Sequence, residues 1–331
     1  MALIKMSRKI IKSPLLQYLP NLFYNRSRIR KPIHNPFLLF FFISYLLLLV
    51  LSSPTKALSY IQLGTGPSEG NYFKIGGILS SILSKPTGTR SCERGGNCGL
   101  SETVFTTKST RGSSENVQLL MKRQIDLAFV QEDIYKSLSS EVKKKIHLCG
   151  ALFKDQPHLV TRENDPYKTV TDLKHKKIAL GTTDPAVAES MKRILAQQGL
   201  KDGEFVSVML APGQATDALN SKQADAVMII SNYPIASLRH LSRKRPLRIL
   251  EMKSEHYQST FIPAHTYGQA TPCVTFGIPV LLIAREGLEP DFDENLTISL
   301  WNPINQRYLR ERWKGGELSN KNEWNAKIQY K

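Results

Sequence analysis

A short apolar run, a polar loop rich in small residues, and a stretch with apolar positions three and four apart follow one another repeatedly along this chain. That order admits few architectures. Residues 58–63 alternate as a strand and residues 64–70 (GTGPSEG) form a loop. Ile75, Ile78, Leu79, Ile82 and Leu83 then recur at helical spacing, leaving Ser80, Ser81 and Ser84 to other faces. The cycle returns as strand 104–108, loop 109–116 and helix 117–122, and then as strand 125–130 followed by Gln131, Glu132 and Asp133. Farther on, strand 177–180, loop 181–186 and helix 187–198 repeat it, with Pro185 suited to a first helical turn and Gly199 to a helix end. Strand 205–210, helix 214–220 and strand 226–230 complete a second series. Strands separated by helices imply an α/β fold with parallel sheets, and ligands of such sheets sit outside the carboxyl ends of the strands. The polar loops therefore converge on one crevice.

Each loop also opens a helix, where free amides and a positive dipole end favour an anion. A dinucleotide fingerprint is absent, because the glycines fall at 64, 66 and 70, and no Gly-Lys-Ser/Thr closes a phosphate loop. Two roles stay open for the loop side chains. Ser113 or Ser114 would cap the helix that follows, or the same groups would touch a ligand.

The first 57 residues hold nine Lys or Arg and no acid, so the formal charge of +17 falls to +8 beyond them. Their order is basic, then the apolar run 37–51, then small residues to Ala57. A secretory signal cleaved after Ala57 has this form, and an uncleaved anchor is the alternative. A basic stretch over 303–331 supplies half of the remaining charge, and the mildly basic body has no massed basic face, so nucleic acid is not an expected partner. Cys92 and Cys98 bracket two glycines that permit a tight reversal, and in an oxidising compartment they should form a disulfide. Cys149 and Cys273 read as buried thiols, and no metal site or cofactor is expected. The seven histidines pair with no obvious nucleophile, and neither GxSxG nor HExxH occurs, so no catalytic residue is expected and the chain does not read as an enzyme.

The chain resembles the TAXI solute-binding subunits of tripartite ATP-independent periplasmic (TRAP) transporters. The resemblance rests on LGTGPSEGNYF (63–73), CERGGNCG (92–99), SSENV (113–117), FVQEDI (129–134), LFKDQPHLV (152–160), TVTDLKHKKI (169–178), ADAV (224–227) and LWN (300–302), in that order. It implies a type II periplasmic-binding fold, two α/β lobes around a ligand cleft, and delivery of a small organic anion or amino acid to a TRAP membrane permease. Lobe one is expected over 58–151 and 255–302, lobe two over 152–254, with crossovers near Leu159, Val160 and Leu250 and an atypical basic tail over 303–331. That tail replaces the Gly-His-Lys and PLHPGA segments with which relatives end. The ligand is expected to meet Thr65, Gly66, Tyr72, Ser113, Asn116, Gln131 and Asp133 from lobe one and Thr182, Thr183 and Asp184 from lobe two. These mostly neutral donors suit a small carboxylate, glutamate-like or a dicarboxylate, with Glu115 or Asp133 able to meet an amino group. On this reading Asn116→Ala and Thr183→Ala weaken binding and spare the fold. A membrane-tethered sensory or interaction module using the same lobes is the alternative function.

Overall fold

The computed structural model describes residues 57–313 and 318–325, with residues 37, 40–42, 44 and 45 besides. The export signal expected over 1–57 thus lies almost wholly outside the described residues. Among those described, no helix is long and apolar enough to cross a membrane. All that follows concerns the unit Lys56–Lys331.

β1 (Ser59–Gly64) leads through a loop to α1 (Asn71–Leu83). Two short strands, β2 (Ser84–Lys85) and β3 (Leu100–Ser101), flank a disulfide-closed turn. Next come β4 (Thr103–Lys108), α2 (Ser113–Met121), β5 (Leu127–Gln131), α3 (Glu132–Ser137) and α4 (Ser140–Lys143). The long strand β6 (Ile146–Arg162) opens a second series of β7 (Lys177–Gly181), α5 (Pro185–Gln197), β8 (Val206–Leu210), α6 (Pro212–Asn220), β9 (Ala226–Ser231), α7 (Ala236–Ser242) and β10 (Leu247–Leu250). The chain returns through β11 (Ser259–Ile262), β12 (Cys273–Phe276) and β13 (Ile278–Arg285) to α8 (Phe292–Leu300), α9 (Pro303–Arg312) and α10 (Lys321–Asn325).

The sheet runs β3-β2-β4-β1-β5-β13-β6-β9-β7-β8, with β10 also on β6, while β11 and β12 pair with each other. β1, β4 and β5 are parallel, as are β7, β8 and β9, so each half carries a parallel trio. β6 belongs to both. Its residues up to Asp155 pair with β13, and those from Gln156 pair with β9. Leu159 pairs with Leu250 inside the second half, so the changeover falls at Asp155 and Gln156.

β5 is buried along its whole length because helices cover both faces of a central parallel strand, whereas edge strand β8 leaves Val206 exposed. One apolar cluster, with Val130, Ile178, Met191 and Leu281, runs through both halves. A second lies under α1, α8 and α9 with Leu63, Leu79 and Phe129, and a third lies under α6 and α7 with Ala179, Leu219 and Leu238. Ile262, Tyr267 and Cys273 belong to that third cluster, so the segment around β11 and β12 packs with the second half.

Two local expectations change. Ser80 faces the core with Ile75 and Leu79, while Ile78 is only half-buried. α2 starts earlier than 117 and its cap is Gly112, at φ 140°, not Ser113 or Ser114. The Ser113 hydroxyl instead accepts a bond from the amide of Gln131 at 3.1 Å. In its described part the stretch after Asn302 packs on the first half. Leu309, Trp313, Leu318 and Trp324 are buried in the first half's core, and Asn305 donates to the carbonyls of Cys98 at 3.1 Å and Ser299 at 2.9 Å. Cys92 and Cys98 form a disulfide with Cα atoms 4.9 Å apart. Both glycines between them are needed, since Gly95 sits at φ 83° and a Cβ on Gly96 would lie 1.8 Å from the carbonyl oxygen of Arg90.

Candidate ligand-binding site

The carboxyl ends of β1, β5, β7 and β9 open on a cavity of 370 Å³ between the halves. The loop after β1 contributes Gly66, Pro67 and Glu69, and the first turn of α1 contributes Gly70, Asn71 and Tyr72. Arg111, Gly112 and Ser113 enter from the start of α2, with Gln131 from the end of β5. The second half supplies Gly181 and Thr182, Val187 and Met191 of α5, Pro212 and Gly213, Ile229 to Ser231 of β9, and Ile235, Ala236, Ser237 and His240 around α7. Its wall is therefore largely apolar.

Of the ten residues expected to touch ligand, Gly66, Tyr72, Ser113, Gln131 and Thr182 line this cavity. The other five lie elsewhere. Thr65 is buried and donates to the carbonyl of Lys108 at 2.8 Å. Asn116 is buried and fully engaged, its Nδ2 donating to Thr65 at 2.7 Å and Phe129 at 2.8 Å and its Oδ1 accepting from Thr110 at 2.8 Å. Thr183 is exposed on the loop. Asp133 accepts from Ser190 and pairs with Arg193 at 3.3 Å. Glu115 pairs with Arg111 at 3.3 Å.

Asp184 caps α5 by accepting from the amide of Ala186 at 3.0 Å, and across the cleft it accepts from the amide of Ser114 at 2.8 Å and from the Ser114 hydroxyl. One carboxylate thus sits on two helix amino termini. Asn71 adds a second bridge, donating to the Asn232 carbonyl and Oδ1, each at 2.7 Å.

Asp155 lies at the changeover of β6 and accepts from the Tyr72 hydroxyl at 2.7 Å, from Gln131 Nε2 at 3.4 Å and from the amide of Asn232. Burial lifts its carboxyl to about 7 despite these bonds, and burial together with the Asp155 charge raises the Tyr72 hydroxyl. Burial pushes His158 down to about 4. The neutral ring donates from Nδ1 to the Gln156 carbonyl at 2.7 Å and accepts from Tyr267 at 3.2 Å, and Tyr267 in turn accepts from the amide of Ile235 at 2.8 Å.

The raised acid loses stability as pH rises from 3.8 to about 7, because only the unfolded chain ionises there. The lowered base loses stability as pH falls from 6.5 to about 4. Comparing Asp155→Asn with the natural chain isolates the first effect, since His158 is common to both. The variant should gain in relative stability from near zero around pH 4 to about 2–4 kcal/mol around pH 8. Urea unfolding across that range measures it, and a pH-independent difference would contradict a buried ionisation at Asp155.

Reading the sequence missed the apolar wall. Val187 and Met191 lie on the buried stripe of α5, and Ile229 and Ile230 lie in an apolar strand, so their signal is that of ordinary core. Pro212 and Gly213 open α6, two residues ahead of its expected start at Gln214. Among the described residues, His147, Cys149 and Asp293 place metal-capable atoms within 4.8 Å of one another, but none lines the cavity.

Two α/β halves sharing through-strand β6 and closing on a cavity at their strand ends have the fold of periplasmic solute-binding proteins. A structure described as a periplasmic transporter superposes with a TM-score of 0.55 at 13% identity, over 83% of this chain and 94% of that one. A TctC solute-binding protein from Polaromonas superposes with a TM-score of 0.51 at 13% identity, over 81% and 93%. A Xanthomonas citri protein bound to ATP gives 0.50 at 14% identity, over 78% and 89%. Residues 63–312 match the NMT1-like family, and the chain belongs to it.

Proposed function

We propose that this chain is an exported solute-binding protein of the TAXI type, which captures a small organic anion or amino acid between its halves and presents it to a TRAP membrane permease. The observation that carries this reading is the 370 Å³ cavity, walled by loops from the carboxyl ends of both parallel trios. The TAXI motifs in the sequence supply the permease class, and the order of residues over 1–57 supplies the export. The lobes divide at Asp155 and Gln156 on the outward path and at Gly277 on the return, where β12 ends against the second half and β13 begins in the first.

Melting in the presence of a panel of amino acids and carboxylates tests the reading. A ligand at a hundred times its Kd stabilises the folded chain by about 2.7 kcal/mol. Ala236 lines the cavity yet is exposed at the start of α7, so Ala236→Trp fills the space without disturbing the core. The variant should melt like the natural chain when unliganded and gain nothing from ligand. A panel without effect on the natural chain, or a ligand that stabilises both proteins equally, removes the cavity as the site.

A further inference from the structure

Taking that cavity as the ligand site, we infer that it selects an α-amino acid with an apolar side chain, not glutamate or a dicarboxylate. The geometry supplies two polar anchors and one apolar wall. The first anchor is the amino terminus of α1, a helix of 13 residues whose cap Gly70 makes no side-chain bond and whose first turn holds no acid. The side chain of Asn71 turns away to Asn232, and Gly66 and Gly70 bring little bulk to the approach. The first-turn amides therefore face the cavity without an internal anion, unlike those of α2, where Asp184 already binds.

The second anchor is Gln131. It is 3% exposed and lines the same cavity, its Nε2 is directed at Asp155, and its Oε1 has no partner. A buried carbonyl oxygen without a donor calls for an N–H or O–H on the ligand. An α-ammonium beside an α-carboxylate answers both anchors at once.

The remaining wall decides the side chain. Val187, Met191, Ile229, Ile230 and Ile235 present only carbon and sulfur. Of the charged groups on the lining, Arg111 is already paired with Glu115 at 3.3 Å and is 58% exposed, and Glu69 is itself negative. A second carboxylate would be stripped of water against isoleucines, with no unpaired Lys or Arg on the lining to receive it. A branched aliphatic or thioether side chain fills that space, and the cavity lies near the small end of the roughly 300–1,000 Å³ spanned by small-molecule sites.

Calorimetric titration tests the inference with leucine, methionine, glutamate and succinate, and with 4-methylpentanoate and 3-methylbutylamine as leucine without its ammonium or its carboxylate. Leucine or methionine should bind at least tenfold more tightly than glutamate or succinate, and at least tenfold more tightly than either truncated analogue. Met191→Ala and Val187→Ala should each weaken leucine at least threefold, and where the first folds poorly the second carries the measurement. Glutamate or succinate binding more tightly than leucine would overturn the apolar class and leave solute binding intact. Equal binding of leucine and 4-methylpentanoate would overturn the ammonium anchor. If none of these ligands binds, and the wider melting panel with Ala236→Trp is also flat, the site itself is lost along with the class.

Discussion

Replacing Trp324 with alanine should cost the fold about 3–5 kcal/mol, the range for deleting a large buried aromatic. The side chain is fully buried, its Nε1 donates to the Thr297 hydroxyl at 3.0 Å, and its ring centroid lies 5.0 Å from that of Trp301. Its other face rests on β6 at Gly150, where a Cβ would come within 2.5 Å of the indole. The strand beneath offers no side chain at Gly150 to fill the space. The midpoint of urea unfolding should fall accordingly, while the exposed neighbour Lys321→Ala leaves it unchanged. A loss below about 1 kcal/mol would mean that residues 318–325 do not hold the first half together.

Asn116→Ala should cost about 3 kcal/mol of stability, with little effect on ligand affinity. Its side chain ties together the backbone after β1, the end of β5 and Thr110 in the loop after β4. Truncation leaves two carbonyls and a hydroxyl buried without this partner, at about 1–3 kcal/mol for each group left unsatisfied. Thr183→Ala, on the exposed loop, should change neither quantity. Melting and titration of both variants separate the roles. A large affinity loss with an unchanged melting temperature in Asn116→Ala would return that residue to the ligand.

The elements most legible in the sequence were those whose apolar runs exceed what a loop tolerates, such as the core of β5 at 127–130 and of β9 at 226–230. The convergence of loops was legible for the same reason, since it follows from parallel strands whatever the loop residues do. Which loop side chain faces the cavity was not. Thr65 and Gly66 are adjacent, yet the first turns back to Lys108 and the second lines the space, a difference set by backbone direction that composition does not encode. Asp184 has the chemistry of a ligand contact, but its fixed place between two helix ends gives it an internal partner. The segment after Asn302 was obscured in another way. Leu309 and Trp313 stand one helical turn apart but among many charges, and Leu318 and Trp324 continue no periodic stripe, so only tertiary packing reveals all four as core.

The carboxylate of Asp184 also joins the two halves directly. Because it satisfies amides of α2 and α5 together, the arrangement of the two halves carries stabilisation of its own without any solute. For a binding protein that opens and closes, the apparent Kd is the intrinsic Kd divided by the fraction already competent to bind, so a larger standing closed fraction would lower the first number without a single new contact to the solute. On the proposed function, the same bond would break before solute leaves. On the proposed function, the residence time of a solute is therefore governed in part by a residue that does not line the cavity.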